Sequence, residues 1–276
     1  MTASTVLAGV TSELARQGVP SPSVDARLLL CSALDLSPAE LYGSLDRPLD
    51  AAERDRLRTL VARRSRREPL AYVLGEWGFR HLTLEVDRGA LVPRPETEIV
   101  VERCLDLIAE IPAPHVLDVG TGSGAIALAL ADEHPGARVL GIDSSARALG
   151  VAERNGQRLG LDVRFARRDL RQGLPSGPFD LVVCNPPYVS VAELAGLDPE
   201  VRVWEPPEAL VDEGQWLAVI AGARGVLRPG GWLVLESHEQ KAGELASALA
   251  EHGYTEPAVT DDLAARPRVV EAQWQR

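Results

Sequence analysis

Phe179-Asp180-Leu181-Val182-Val183-Cys184-Asn185-Pro186-Pro187-Tyr188 is an apolar run that stops abruptly at a polar amide, two prolines and an aromatic ring. The run is rich in β-branched residues and shows no polar alternation, the pattern of a strand buried on both faces of a parallel sheet. Asn185 then falls at the strand's carboxyl end, where open α/β sheets bind their ligands. Pro186 and Pro187 favour an extended backbone whose carbonyls accept without competing N–H donors. A planar NH2 group suits such a site. The Asn185 side-chain oxygen and the Pro186 carbonyl can each accept one of its hydrogens, while the Tyr188 ring packs on its flat face. Alone, the pattern is equally that of a strand followed by a proline turn.

The surrounding chain supplies the context. Apolar runs at 115–119, 138–142 and 163–166 read as strands, and 124–133 and 145–159 as the helices between them. Beyond the central run, a helix over 214–227 leads through the tight turn Arg228-Pro229-Gly230-Gly231 into a buried strand at 232–236. A helix over 239–252 and terminal strands follow. Alternation of this kind predicts an α/β fold with a parallel, doubly wound, Rossmann-like sheet.

Ahead of it, residues 4–70 read as short helices. Leu7, Val10 and Leu14 share one helical face, and Gly18 with Pro20 ends that element. Ser21-Pro22 offers an N-cap and a first-turn proline, with Asp25 in the first turn. Ser37 with Glu40 and Asp50 with Glu53 have capping-box spacing. The last helix runs into Arg63, Arg64, Arg66 and Arg67, read first as a solvated, dipole-complementing end and second as a contact for an acidic protein or ribosomal RNA. From 72 to 92 the pattern turns to alternating β-branched and aromatic residues with glycines, a β-hairpin or extended connector. The expected organisation is therefore a helical domain at 1–71, a connector at 72–92 and a catalytic domain at 93–276. The catalytic part opens on Leu91-Val92-Pro93-Arg94-Pro95-Glu96-Thr97-Glu98, a rigid charged loop able to wall a pocket, or a plain proline-rich linker before an acidic helix start.

Composition narrows the function classes. With 45% hydrophobic and 25% charged residues, the 276-residue chain is that of a globular protein with a substantial core. A net charge of −11 argues against gripping long stretches of nucleic-acid backbone. Cys31, Cys104 and Cys184 lack metal-ligand spacing, so buried reduced thiols are expected, with no metal site. No signal segment or membrane-spanning stretch is evident, which makes the cytoplasm the expected location.

A glycine loop, Asp118-Val119-Gly120-Thr121-Gly122-Ser123-Gly124, joins a strand to a helix. It lets the backbone approach a ligand closely and offers free N–H groups and a positive dipole to a carboxylate. The loop alone does not choose between nicotinamide and S-adenosylmethionine. The acidic residue before it suits an ammonium-bearing ligand, and the third glycine of the dinucleotide fingerprint is missing. Asp143 ends the next strand, where its carboxylate can take both ribose hydroxyls or cap the following helix. Asp169 and Leu170 follow the third strand and could border the adenine. These features, with Asn185, occur in the order expected of an S-adenosylmethionine-dependent methyltransferase that modifies a planar nitrogen.

With these marks the chain resembles the protein-(glutamine-N5) methyltransferases of the HemK/PrmC family, which modify the glutamine of the Gly-Gly-Gln loop in peptide-chain release factors. The likeness covers essentially the whole chain and rests on residues 91–98, 118–130, 185–188 and Trp204-Glu205-Pro206. It implies that Gly120, Thr121, Gly122, Ser123, Gly124 and Asp143 hold the methionine and ribose parts of S-adenosyl-L-methionine, with Asn185 also near it, leaving S-adenosyl-L-homocysteine; Asp118, Asp169 and Leu170 join that cofactor site from their places in the chain. It further implies that Asn185, Pro186, Pro187 and Tyr188 hold the glutamine amide, with Arg94 and Glu96 beside it, and that Asn185, Pro186 and Tyr188 carry the catalysis. Departures are Trp204 where the family often has tyrosine, Asp212 to Leu217 without the usual Asp-Gly-Leu, and Asp261 to Arg268 without the usual glycine.

An amide nitrogen is a poor nucleophile, and no histidine or lysine near the motif stands out as an obligatory base. The expected mechanism is alignment of the amide with the sulfonium methyl, with proton loss after transfer. The expected partners are release factors, with no membrane and no stable nucleic-acid binding, and the chain is expected to be a monomer. Competing readings are a DNA or RNA exocyclic-amino methyltransferase, a catalytically silent S-adenosylmethionine-binding protein and a nicotinamide dehydrogenase.

Overall fold

The computed structural model describes residues 1–276, which gather into two compact units: Met1–Glu76 with Leu197–Trp204, and Trp77–Gly196 with Glu205–Arg276. A linear division does not show the first grouping, in which eight residues beyond Asn185-Pro-Pro-Tyr belong with the helices.

The smaller unit packs α1 (Ala3–Arg16), α2 (Pro22–Leu34), α3 (Pro38–Gly43), α4 (Ala51–Arg64) and α5 (Leu70–Leu74) around Leu14, Leu29, Leu30 and Leu41. Full burial of each such side chain contributes about 1.5–3 kcal/mol. Both capping boxes form, at Ser37 with Glu40 and Asp50 with Glu53. Ser21, in contrast, makes no side-chain cap at the start of α2. The arginine run is not the solvated helix end first read from the sequence. Arg64 is 4% exposed, its Nε bonded to the buried Asp25 carboxylate at 2.6 Å and its Nη1 paired with Glu200 at 2.8 Å. Arg67 reaches both Glu200 oxygens at 2.6 Å. Arg63 binds Glu68 and the carbonyls of Tyr72 and Val73. Glu200 lies in the short helix α9 (Pro199–Arg202), so two arginines hold that segment on this unit. Local composition could not reveal the Glu200 contacts, because that residue lies more than 130 residues away.

The larger unit begins at Trp77, inside a hairpin of β1 (Glu76–Phe79) and β2 (Leu82–Glu85) that is shorter than the 72–92 stretch suggests because Tyr72 lies in α5. Its core is a seven-stranded sheet of β3 (His115–Val119), β4 (Arg138–Asp143), β5 (Arg164–Arg167), β6 (Phe179–Cys184), β7 (Leu227–Glu236), β8 (Thr255–Asp261) and β9 (Pro267–Trp274). The order is β5-β4-β3-β6-β7-β9-β8. The first five strands run parallel, but β9 pairs antiparallel with both β7 and β8, so the sheet is mixed rather than wholly parallel. The four residues expected to form a turn before 232 lie inside β7. They are absorbed where its pairing with β6 slips between Phe179 and Leu181, and Gly230 takes a φ of 83°.

Every residue of β6 is buried. Leu181 and Val183 face α6 (Thr97–Ile108), α7 (Ala125–Glu133) and the hairpin, while Val182 and Cys184 face α10 (Gln215–Ala223) and α11 (Ala242–Glu251). Burial on both faces explains the absence of polar alternation. All three cysteines are buried and free.

Candidate active site

The parallel register aligns the carboxyl ends of β3, β6 and β7 side by side: Val119 pairs with Cys184, and Cys184 with Leu235. The next residue of each strand path is therefore Gly120, Asn185 and Glu236. Asn185 is half-buried and its Nδ2 donates to Thr97 Oγ1 at 3.3 Å; the Thr97 hydroxyl donates to Glu236 Oε2 at 2.6 Å. Thr97 and Glu236 are 5% and 1% exposed. With Nδ2 engaged, Asn185 Oδ1 is the atom left to accept. Burial pushes the Glu236 carboxyl up to about 7, against the pull of the Thr97 hydrogen bond. Tyr188 sits over His238 with ring centroids 5.9 Å apart, and burial raises its phenol. Pro186 is buried, Pro187 is half-buried, and Val189 pairs with Val211 just beyond.

The glycine loop is held from below. The Gly120 and Thr121 N–H groups both donate to the Ile142 carbonyl, and the Gly122 N–H donates to Asp143 Oδ2 at 3.0 Å. Gly120, Gly122 and Gly124 have φ values of 74°, 57° and 84°, which glycine adopts without strain. A Cβ on Gly120 would meet nothing within 4 Å, so that face of the loop is open; one on Gly124 would press on Leu128, Ala152 and Phe165. The fully buried Asn155 side chain ties the Ser123 carbonyl to the backbone of Glu85. Asp143 accepts from the N–H groups of both Gly122 and Ser145, while Ser145 itself caps α8 (Ala146–Leu159). Burial raises the Asp143 carboxyl.

Beneath the loop, Asp118 is 1% exposed. Its Oδ2 accepts the Thr121 hydroxyl at 2.6 Å, whereas Oδ1 is buried without a hydrogen-bond partner. Desolvation lifts this carboxyl to about 7, against the pull of the Thr121 hydroxyl and the Ala127 N–H. An unpartnered buried acceptor beside an open glycine loop fits a ligand with a cationic or N–H group.

The outer residues differ in what they are free to do. Asp169 caps the one-turn helix Leu170–Gln172 and is bound by Arg171, which holds its carboxyl down at about 2. Leu170 packs on the α10 side of the core. The Arg94 guanidinium is ion-paired with the buried Glu205 carboxylate of the Trp204-Glu205-Pro206 motif. Glu96, at the N-cap position of α6, and Arg94 both act electrostatically on Tyr188 and Glu236.

Sequence reasoning missed Thr97, Glu236, Asn155 and Glu205 as working parts, and Gly141, where a Cβ would strike Phe165 and the Thr121 hydroxyl at 2.8 Å. Glu236 carries a signal nonetheless: like Asn185, it is the polar residue that ends a buried apolar strand. Thr97 lies in the quoted Pro-Arg-Pro-Glu-Thr-Glu stretch.

Comparison with known proteins assigns this arrangement a class. Residues 98–253 match the methyltransferase small domain family. In fold, the chain resembles a T. thermophilus 16S rRNA N2 G1207 methyltransferase, solved with AdoMet and guanosine, at a TM-score of 0.56 and 20% identity over 72% of this chain and 50% of that one. It also resembles a ribosomal protein L11 methylase from Lactobacillus delbrueckii, at 0.51 and 21% over 70% and 86%. The larger unit is thus a methyltransferase domain of the Rossmann-like kind.

Whole-chain relatives go further. Residues 5–75 match the PrmC N-terminal domain family. The release factor glutamine methyltransferase of Deinococcus radiodurans is 41% identical over 272 residues, 97% of each chain. That of Xylella fastidiosa (strain 9a5c) is 42% identical over 251 residues, 89% of this chain and 91% of that protein. The chain belongs to the release factor glutamine methyltransferase family.

Proposed function

We propose that this enzyme methylates the side-chain amide nitrogen, N5, of the glutamine in the Gly-Gly-Gln motif of bacterial peptide-chain release factors, using S-adenosyl-L-methionine. Family membership supports the substrate class. The observation that carries the chemistry is the orientation of Asn185, whose NH2 group is taken by Thr97 so that its oxygen is the free acceptor at the strand end. Asn185 Oδ1 and the Pro186 carbonyl accept the two N–H bonds of the glutamine amide, and Tyr188 packs on its face. Both acceptors favour a nitrogen that is losing amide resonance and gaining positive charge, so they bind the transition state more strongly than the flat ground state.

The residues fit the cofactor. Asp118 Oδ1 takes its ammonium, the open face over Gly120 admits its methionine part, and Asp143, Asp169 and Leu170 border the nucleoside. When bound, it supplies an electrophilic sulfonium methyl group. The chain's own contribution is alignment, for which proximity and orientation offer about 7–11 kcal/mol; the amide proton is lost after transfer. Arg94, through its pair with Glu205, shapes the rim together with Glu96. The helical unit serves recognition of the release factor, and the enzyme acts as a cytoplasmic monomer without stable nucleic-acid binding. No helix is long and apolar enough to cross a membrane.

The test is transfer of labelled methyl to a purified bacterial release factor, beside a factor whose Gly-Gly-Gln glutamine is replaced, with total RNA and DNA as parallel acceptors. Label on the intact factor alone is expected. Label on nucleic acid, or on the substituted factor, would overturn the proposal.

A further inference from the structure

We infer that Thr97 and Glu236 form a polarity lock on Asn185. The Glu236 carboxylate takes the only proton of the Thr97 hydroxyl, so Thr97 can offer Asn185 nothing but a lone pair, and Asn185 must turn its NH2 inward and its oxygen toward the substrate. The inference rests on the reading of Asn185 as the acceptor for the substrate amide. Neither Thr97 nor Glu236 is assigned contact with substrate, and both are positioning residues.

A hydroxyl donates one hydrogen bond and accepts two, whereas a primary amide can present either its oxygen or its NH2 after a 180° flip. What decides between the two faces of Asn185 is therefore the direction of the next hydrogen bond in the chain. At 2.6 Å the Thr97–Glu236 bond is short and both ends are buried, while the Asn185–Thr97 bond is 3.3 Å. An ionised carboxylate only accepts, which fixes the direction. A protonated Glu236, or a glutamine there, can donate to Thr97 instead. The hydroxyl proton is then free for Asn185 Oδ1, and the Asn185 NH2 group would meet the substrate NH2 donor to donor.

Three elements converge to make the lock. Thr97 is the first residue of α6, Glu236 the last of β7, and Asn185 follows β6 directly. The pairing of Cys184 with Leu235 places Asn185 and Glu236 on adjacent strand ends. The charges facing Glu236 are Arg268 from β9 and Arg94 from the loop before α6, which favour its carboxylate, and Glu96, which opposes it; the Tyr188 phenol and the buried Cys184 thiol of β6 are also close. Arg268 is itself buried, held by the Ser237 carbonyl and Asp262. Burial outweighs the arginines and brings the carboxyl to about 7, so the lock engages above that pH and loosens below it.

The test compares wild type with Glu236→Gln, Thr97→Ser and Thr97→Val in single-turnover methyl transfer to release factor between pH 6 and 8.5. Cofactor affinity and the KM for the factor are measured alongside. With cofactor saturating at every pH, Glu236→Gln is expected to slow transfer about 10- to 100-fold, the weight of one charge-assisted hydrogen bond, with affinities changed little from wild type at the same pH and the loss of rate below pH 7 abolished. Thr97→Ser is expected to keep most of the rate and the pH profile, and Thr97→Val to resemble Glu236→Gln. A Glu236→Gln enzyme with wild-type rate and profile, or a Thr97→Ser enzyme as slow as Thr97→Val, would overturn the lock. A readout independent of turnover is the Asn185 side-chain amide resonance, assigned by its loss in Asn185→Asp. It should titrate near pH 7 in wild type and not in Glu236→Gln; an amide that ignores pH would overturn the lock even if transfer to release factor proceeds. A titrating amide in an enzyme that labels no release factor would instead leave the lock standing and sink the proposed substrate.

Discussion

Asp118 Oδ2 accepts the Thr121 hydroxyl at 2.6 Å while Oδ1, on the same buried carboxyl, has no side-chain partner and only the Ala127 N–H of α7 nearby. Thr121 lies in the open glycine loop, so the unpartnered oxygen lies under the backbone proposed to receive the cofactor's methionine part. The carboxyl titrates at about 7 because it is desolvated. An ammonium partner requires the ionised form. Affinity for S-adenosylmethionine should rise with pH through about 7, falling about tenfold for each unit well below. Binding below pH 7 should release a proton, seen in calorimetry as a dependence on buffer ionisation enthalpy. Asp118→Asn should weaken binding and remove both effects. Affinity that is flat from pH 5.5 to 8 would contradict the assignment.

The same two carboxyls set a trend in the stability of the ligand-free protein. Asp118 and Glu236 both have folded-state values raised to about 7, above ordinary carboxylates. Their contribution to stability is full below the unfolded values, about 4, and is lost as pH rises through about 7. The unfolding midpoint of wild type should therefore fall relative to that of the double variant Asp118→Asn/Glu236→Gln on moving from pH 5 to 8. Parallel curves would show that neither group carries the shift.

In the helical unit, Arg64 is enclosed by Asp25 and Glu200. Removing the guanidinium leaves the Asp25 carboxylate buried and unpaired, and breaking a buried pair in this way costs about 3–5 kcal/mol. Arg64→Ala should lower the denaturation midpoint accordingly, while Arg66→Ala, an exposed neighbour, should leave it nearly unchanged. Equal effects of the two substitutions would contradict the buried network.

The contrast between these arginines shows what could be read from sequence. The β6 run and its Asn-Pro-Pro-Tyr end were legible because a strand buried on both faces and a proline stop are local patterns. The glycine loop was legible for the same reason. Arg64 was misread as a solvated helix end because its partner Glu200 is 136 residues away, and nothing local marks a residue as buried by a distant segment. Thr97 and Glu236 stayed hidden as a pair for the same reason: 139 residues separate them, and their meeting depends on the strand order that sets β7 beside β6. The antiparallel turn of β9 likewise follows from its pairing rather than from its composition.

One departure from the family pattern has a direct physical reading. Where the resemblance leads one to expect a glycine between Asp261 and Arg268, Ala265 adopts a φ of 56°. The loop is kept in shape by Asp262 Oδ1, which accepts the N–H groups of Ala264 and Arg266. A left-handed alanine costs roughly 1–2 kcal/mol. Because glycine is more flexible in the unfolded chain, Ala265→Gly should stabilise by about 1 kcal/mol net, raising the melting temperature by about 2–4 °C. A lower melting temperature would show that the backbone there relaxes.

The most direct test of the account is single-turnover methyl transfer to release factor by wild type and Asn185→Ala, with the methylated atom located by fragment mass spectrometry and NMR. Wild type should place one methyl on the side-chain nitrogen of the Gly-Gly-Gln glutamine. Asn185→Ala should slow that step about 10²- to 10³-fold, as loss of one preorganised transition-state hydrogen bond does, with cofactor affinity almost unchanged. A methyl on any other atom, or an Asn185→Ala enzyme as fast as wild type, would contradict it.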